Sequence, residues 1–222
     1  MEEQDILSYD WREYLDRHWS KRFPEWALGA DEWRSQSDNL GVLLQKLCAL
    51  RGSVRPMVTP RVFVSHRQVD EDYARRVAWL ADQAGFDFWL DVLDPNLQML
   101  NQMFAGAAVG PVQRALAIAN VVEMALLNSS HVLAVMTPNT QGSQWVPYEY
   151  GRAKDQTVVS VQAACWVGAG LSPVALPEYL HLGIETGTEL GITAWFDSEL
   201  QRHRWTKRPV RWRWPVPAPL PL

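Results

Sequence analysis

The segment Trp145-Val146-Pro147-Tyr148-Glu149 places a carboxylate four residues after an indole. Pro147 suits the first turn of a helix, where its missing N–H is not needed, so a helix opens around residues 145–147. Residues four apart share a helix face when the first turn is regular. Glu149 would then stand near the helix N-terminus, where the macrodipole favours negative charge. A flat aromatic beside an ionised carboxylate can hold a cationic aromatic ring and a ribose. The plainer account has Glu149 favouring the helix start and Trp145 packing in the core. The local pattern supports both.

Four more residues stand where chemistry could be placed. Arg67 follows an apolar run, and its guanidinium matches phosphate geometry. Ser65 and His66 can hydrogen-bond a substrate, although a serine at a strand end also caps locally. Asp91 ends another apolar run and can contact a ribose or cap the following loop. Gly106 and Gly110 make neither GxGxxG nor GxxxxGK, so no phosphate loop is present. No HExxH motif or Cys/His cluster points to a metal, and none is expected.

These residues need a scaffold, and the hydrophobic pattern supplies one. Residues 61–65, 86–90, 131–136 and 158–163 read as buried strands, and 192–196 as a fifth candidate. Residues 70–84 form an amphipathic helix ended by Gly85, with acidic residues in its first turn. Residues 112–128 and 143–154 are further helices, and 91–110 a long loop. Alternating strands and helices imply an α/β, flavodoxin-like parallel sheet with helices on both faces. The strand runs are continuously apolar, as expected for strands covered on both sides. Ligands of such sheets bind beyond the carboxyl ends of the strands, where the strand order reverses. Ser65, His66, Arg67, Asp91 and the 137–149 segment all lie at such ends.

The run VFVSHRQVDEDYARRVAWLADQAGFDFWLD resembles the first strand, first helix and Trp-x-Asp strand of TIR (Toll/interleukin-1 receptor) domains. The run ALLNSSHVLAVMTPN, followed by SQWVPYEYGRA, is similar to the family's second conserved box. Together they cover roughly residues 61–165. The resemblance implies the TIR fold, with Glu149 at the catalytic position of enzymatic members. Those members break the nicotinamide–ribose bond of NAD+, which is a substrate and not a resident cofactor. Trp145, Ser65, His66, Arg67 and Asp91 become the substrate-binding candidates. The resemblance is to prokaryotic TIR NADases of Thoeris-like anti-phage systems. These make an ADP-ribose-derived messenger for a separate effector protein. Alternatives on the same fold are an NAD-depleting effector, a non-enzymatic interaction module that packs TIR against TIR, and, more remotely, a nucleoside 2-deoxyribosyltransferase-like enzyme. Homo-oligomers through TIR–TIR contacts are implied. The family's loop after the second strand carries a glycine soon after its aspartate, whereas here Asp94-Pro95-Asn96 is followed by Leu97 to Phe104 before Gly106.

Composition agrees with a globular chain. The 222 residues are 47% hydrophobic and 21% charged. A formal net charge of −4 argues against bulk attraction to nucleic acid. The two cysteines, Cys48 and Cys165, make no disulfide framework. The acidic start lacks the basic and apolar regions of a secretory signal. The longest apolar stretch, residues 109–127, is broken by polar residues and spans no membrane, so a cytoplasmic protein is expected. Tryptophan is the outlier at 12 copies, which ordinary core packing or interfaces would explain.

Three parts are therefore expected: a helical N-terminal extension over 1–58, a TIR domain over 59–200, and a C-terminal tail over 201–222. Leu40, Leu43, Leu44 and Leu47 mark one helix of the extension. The tail interleaves Arg202, Arg204, Lys207, Arg208, Arg211 and Arg213 with Trp205, Trp212 and Trp214. Such a cluster can bind nucleic acid, anionic lipid or an acidic protein surface, or pack its tryptophans along the domain, and the alternating prolines that follow favour extended backbone.

Overall fold

The computed structural model describes Leu15 and residues 59–106, 110–154, 162–168, 171 and 176–203. These divide into two compact units. One holds Leu15, residues 59–90 and the described residues from 129 onward; the other holds the described residues between 91 and 128. Leu15 is helical and buried. The remainder of the expected N-terminal extension, and the tail after His203, lie outside the described residues.

The first unit is built on five parallel strands, β1 (Arg61–Ser65), β2 (Asp87–Trp89), β3 (His131–Met136), β4 (Gln162–Val167) and β5 (Ile184–Thr186). Their order is β2-β1-β3-β4-β5. Every neighbouring pair is parallel, and β1 and β3 are interior strands. β3 is buried along its whole length, which explains its unbroken apolar run. This is the flavodoxin-like order, and it reverses direction between β1 and β3.

Besides helical Leu15, three α-helices stand among the described residues of this unit: α1 (Glu71–Ala84), α4 (Trp145–Lys154) and α5 (Glu189–His203). Side chains alternate across a strand, so Val62, Phe88 and His131 share one sheet face and Phe63, Trp89 and Val132 the other. α1 and α5 pack together and cover the first face. Tyr73 of α1 meets Trp166 edge-on, and Phe196 of α5 packs on Phe86 beside His131. Arg76 joins the two helices with a paired contact to Glu189, at 2.9 and 2.8 Å. Its guanidinium also lies over the Trp79 ring. α4 covers the second face. α1 ends at Gly85, whose φ of 91° suits glycine.

Of the five tryptophans among the described residues, Trp79, Trp89, Trp166 and Trp195 are buried. Trp89 stacks on Phe63 at 4.5 Å. Core packing therefore explains most of the indoles described.

Three sequence expectations are corrected. The fourth strand reaches Val167, past the expected end at 163, and is described over Gln162–Val167; residues 158–161 of the expected span lie outside the described residues. Ala163, Ala164 and Cys165 are buried small side chains that let helices approach both faces. The candidate strand 192–196 lies inside α5. Ile192, Trp195, Phe196, Glu199 and Leu200 are buried at a helical spacing that a five-residue window cannot display. The third correction falls in the second unit. Residues 91–110 are not one loop: a short 3-10 turn (Asp91–Leu93) leads into α2 (Pro95–Gly106). Asp94 Oδ1 accepts from the backbone N–H groups of Asn96 and Leu97, and Pro95 opens the helix. Leu97, Leu100 and Phe104 form its buried stripe. α3 (Pro111–Leu127) follows, close to its expected span.

Candidate functional site

The row Ser65, Ala134, Cys165 and Glu185 runs across β1, β3, β4 and β5 as register partners. The first three side chains are small, so α4 can approach this face closely. α4 turns Val146, Glu149 and Tyr150 inward, at positions i, i+3 and i+4. Ser65 Oγ donates to Glu149 Oε2 at 2.5 Å in a buried setting. That is the short end for a hydroxyl on a carboxylate, as a charge-assisted bond should be. Ser65 is 1% exposed and Glu149 8%.

The helix start is set by Ser143, whose Oγ accepts from the backbone N–H of Val146. Glu149 is the fifth residue of α4, one turn in, and the first turn holds no acidic residue. The macrodipole fades within that first turn, so the expected helix-start stabilisation of Glu149 is small. The Ser65 hydroxyl orients the carboxylate instead. Trp145 is not a core residue. It is 42% exposed and meets exposed Tyr148 edge-on at 6.0 Å.

The other candidates divide. Arg67 is exposed beyond the end of β1, and its Nη1 donates to the Asn139 carbonyl at 2.6 Å. His66 is half-buried, with Nδ1 at 3.4 Å from the Val64 carbonyl oxygen, so its ring turns back on its own strand. Asp91 belongs to the second unit, where Oδ1 accepts from the Val92 N–H at 2.7 Å. There it caps the turn locally.

Sequence reading missed a polar cluster beside these residues. Asp70 is 2% exposed and binds two groups of the segment after β3. Thr137 Oγ1 donates to its Oδ2 at 2.8 Å, and Asn139 Nδ2 to its Oδ1 at 2.9 Å. Thr137 also opens a 3-10 turn with reciprocal bonds to Thr140. The Thr-Pro start of that turn is a visible cap signal. The bond to Asp70, 67 residues away, has no local signature.

Beside Glu149, the same face is chemically quiet. Burial, then the nearby Glu185 charge, pushes the Cys165 thiol up to about 12. Burial raises the Tyr150 phenol as well, followed by the charges of Cys165, Tyr179 and Glu185. Tyr179 moves the same way, by burial and then Cys165. A thiol that stays protonated is no nucleophile at neutral pH. Among the described residues no group of three or more His, Cys, Asp or Glu could hold a metal, and no helix is long and apolar enough to cross a membrane.

An oriented glutamate thus stands beyond β1 and β3, where the strand order reverses. An exposed indole lies on the same helix and an exposed guanidinium on the neighbouring loop. The arrangement can hold a cationic group by charge, a ring by stacking and an anion by the arginine. A family model for the TIR domain matches residues 62–177, over half of the chain. A search of curated proteins finds no match. With the sheet order agreeing with that match, the chain belongs to the TIR domain family.

Proposed function

We propose that this chain is an NAD+-consuming enzyme, a glycohydrolase or ADP-ribosyl cyclase, with Glu149 as its catalytic residue. The observation that carries the reading is the Ser65–Glu149 hydrogen bond. It holds an ionisable carboxylate in one orientation at the strand-order reversal of a TIR domain.

The bond that breaks joins the ribose C1′ to the pyridinium nitrogen of NAD+. Its electron pair stays with the nitrogen, so nicotinamide leaves neutral and needs no acid. The ribose is left as an oxocarbenium-like cation. A fixed carboxylate stabilises that charge as it develops, without reorganising at the moment of reaction. Ser65 keeps the carboxylate aimed, Trp145 offers a face for the nicotinamide ring, and Arg67 a guanidinium for the diphosphate. Water attacking C1′ and releasing a proton gives ADP-ribose. Attack by an adenine nitrogen or ribose hydroxyl of the same molecule gives a cyclic product.

The resemblance to Thoeris-like systems makes this product a messenger to a separate effector in prokaryotic antiviral defence, formed by a cytoplasmic assembly packed TIR against TIR. The test is incubation of the purified chain with NAD+, alone and concentrated to favour assembly, with products identified by mass spectrometry. Nicotinamide with a cyclic or modified ADP-ribose supports messenger synthesis. Nicotinamide with ADP-ribose alone supports depletion. No turnover in any assembled state would leave the non-enzymatic module as the better account.

A further inference from the structure

Chain leaving β1 passes to α1 on one face of the sheet, and chain leaving β3 passes to α4 on the other. The two segments diverge there, which opens a crevice in sheets of this order. In this protein they are tied across that crevice. The 67–70 turn closes on itself, with the Asp70 N–H donating to the Arg67 carbonyl at 2.7 Å. The Asp70 carboxylate then grips the side chains of Thr137 and Asn139. The Thr137 hydroxyl accepts from the Asn139 N–H at 3.1 Å, so its one proton is free for Asp70. Arg67 Nη1 completes the ring on the Asn139 carbonyl.

We infer that Asp70 is a positioning residue: acting through Asn139, it holds the Arg67 guanidinium at the crevice mouth, ready to receive the diphosphate of the substrate. This rests on the NAD+ reading above. A buried carboxylate is costly unless its oxygens are bonded, so the two donors fix where the 137–140 segment lies. That segment in turn fixes one N–H of Arg67 and leaves the exposed remainder of the fork facing solvent. An untethered surface arginine loses rotamer freedom when it binds an anion. The clasp makes that loss before substrate arrives. The benefit lies in ground-state binding of a group remote from the broken bond, so it belongs in KM.

The experiment compares Asp70→Ala, Asn139→Ala, Arg67→Ala and the double variant Asp70→Ala/Arg67→Ala. Asp70→Ala and Asn139→Ala should each raise KM for NAD+ about three- to tenfold. Their kcat should stay within about twofold. The double variant should be no worse than Arg67→Ala, because the first residue acts through the second. Additive losses, or a fall in kcat with KM unchanged, would overturn the inference. Asn139 is an exposed residue, so its variant decides the matter if Asp70→Ala does not fold. A second readout needs no turnover: phenylglyoxal modification of Arg67, followed by peptide mass spectrometry, with Arg75 on α1 as internal control. Release of the clasp should speed modification of Arg67 alone, and ADP-ribose should protect Arg67 at lower concentration in the wild type than in either variant. Unchanged modification rates and protection in both variants would sink the positioning role. An inactive wild type with a clasp-dependent Arg67 would sink the NAD+ reading and leave the clasp standing.

Discussion

Two glutamates meet serine- or histidine-bearing strands at opposite ends and on opposite faces of the same sheet. Glu149 approaches the last residue of β1 from α4. Glu199 approaches the first residue of β3 from α5, with its Oε2 at 3.4 Å from His131 Nε2. Arg202 reaches the other Glu199 oxygen at 3.0 Å, and Ser130 Oγ lies 2.7 Å from His131 Nδ1. Glu199 is fully buried and His131 1% exposed. Ser130 is further committed to the backbone of Arg61. His131 and Glu199 are sealed at the amino end of β3, away from any strand-end crevice, with Arg202 reaching in from the surface. Glu149 keeps slight exposure at the carboxyl end, beside an open indole and an open guanidinium. Burial and a charged partner identify a glutamate that serves the fold. Position at a strand-order reversal, beside an exposed indole, identifies one that can meet a ligand.

The sharpest test of that contrast is to neutralise each glutamate. Glu149→Gln keeps shape and can still accept from Ser65, but it loses the charge. Nicotinamide release should fall about 100- to 1,000-fold, the usual cost of losing one preorganised electrostatic contact. Stability should change by only about 1 kcal/mol, the difference between a charged and a neutral hydrogen bond. Glu199→Gln should do the reverse. Weakening the contacts of a buried polar group costs about 1–3 kcal/mol. Residual folded protein should turn NAD+ over at close to the wild-type rate. Denaturant melts and nicotinamide assays on both variants check the pattern. A Glu149→Gln protein that is fully active would end the catalytic assignment.

Trp145→Ala sharpens the same contrast with a smaller effect. The indole is largely exposed, so its loss opens no core cavity and the melting temperature should hold. Stacking of a ring on an aromatic side chain contributes about 1–3 kcal/mol, so NAD+ turnover at low substrate should fall roughly five- to 150-fold. A large stability loss with unchanged turnover would return Trp145 to a structural role.

How much of this was legible in the chain follows from the range of each interaction. β1 and β3 match their expected spans because continuous apolar runs bounded by polar residues are local signals. The 145–154 helix was visible in its proline. Asp94-Pro95 is an equally good helix start, but the residues after it carry a weaker apolar stripe than a helix usually shows. Glu149 was singled out by family resemblance and by its spacing from Trp145, but the partner that orients it, Ser65, lies 84 residues away. Asp70 read only as a favourable charge in the first turn of a helix. Its bonds to Thr137 and Asn139 exist because β1 and β3 became neighbours, and no window along the chain contains that fact. The Asp91 contact, by contrast, is one residue long, and local capping was already one of its two readings.

The smallest effect concerns pH, and it separates Glu149 from the rest of its own sheet face. Cys165 lies in the same cross-strand row as Ser65, yet its thiol is pushed from 9.0 up to about 12, first by burial and then by Glu185. A thiol raised on folding holds its proton in the native state while the unfolded chain loses it. Between these two values the unfolded state binds fewer protons, so stability falls as pH rises. Below about pH 9 the contribution is constant. Each unit above it removes up to roughly 1.4 kcal/mol, so a melt at pH 10 should show a loss of about 1 kcal/mol against pH 8. Tyr150 and Tyr179, both raised by burial, deepen the slope at higher pH in the same direction. Cys165→Ala should flatten the fall between pH 9 and 10 while leaving nicotinamide release at neutral pH near the wild-type level. If that variant kept the full alkaline slope, the row beneath α4 would be wetter than its burial indicates. Glu149 would then no longer stand apart from its buried neighbours on that face.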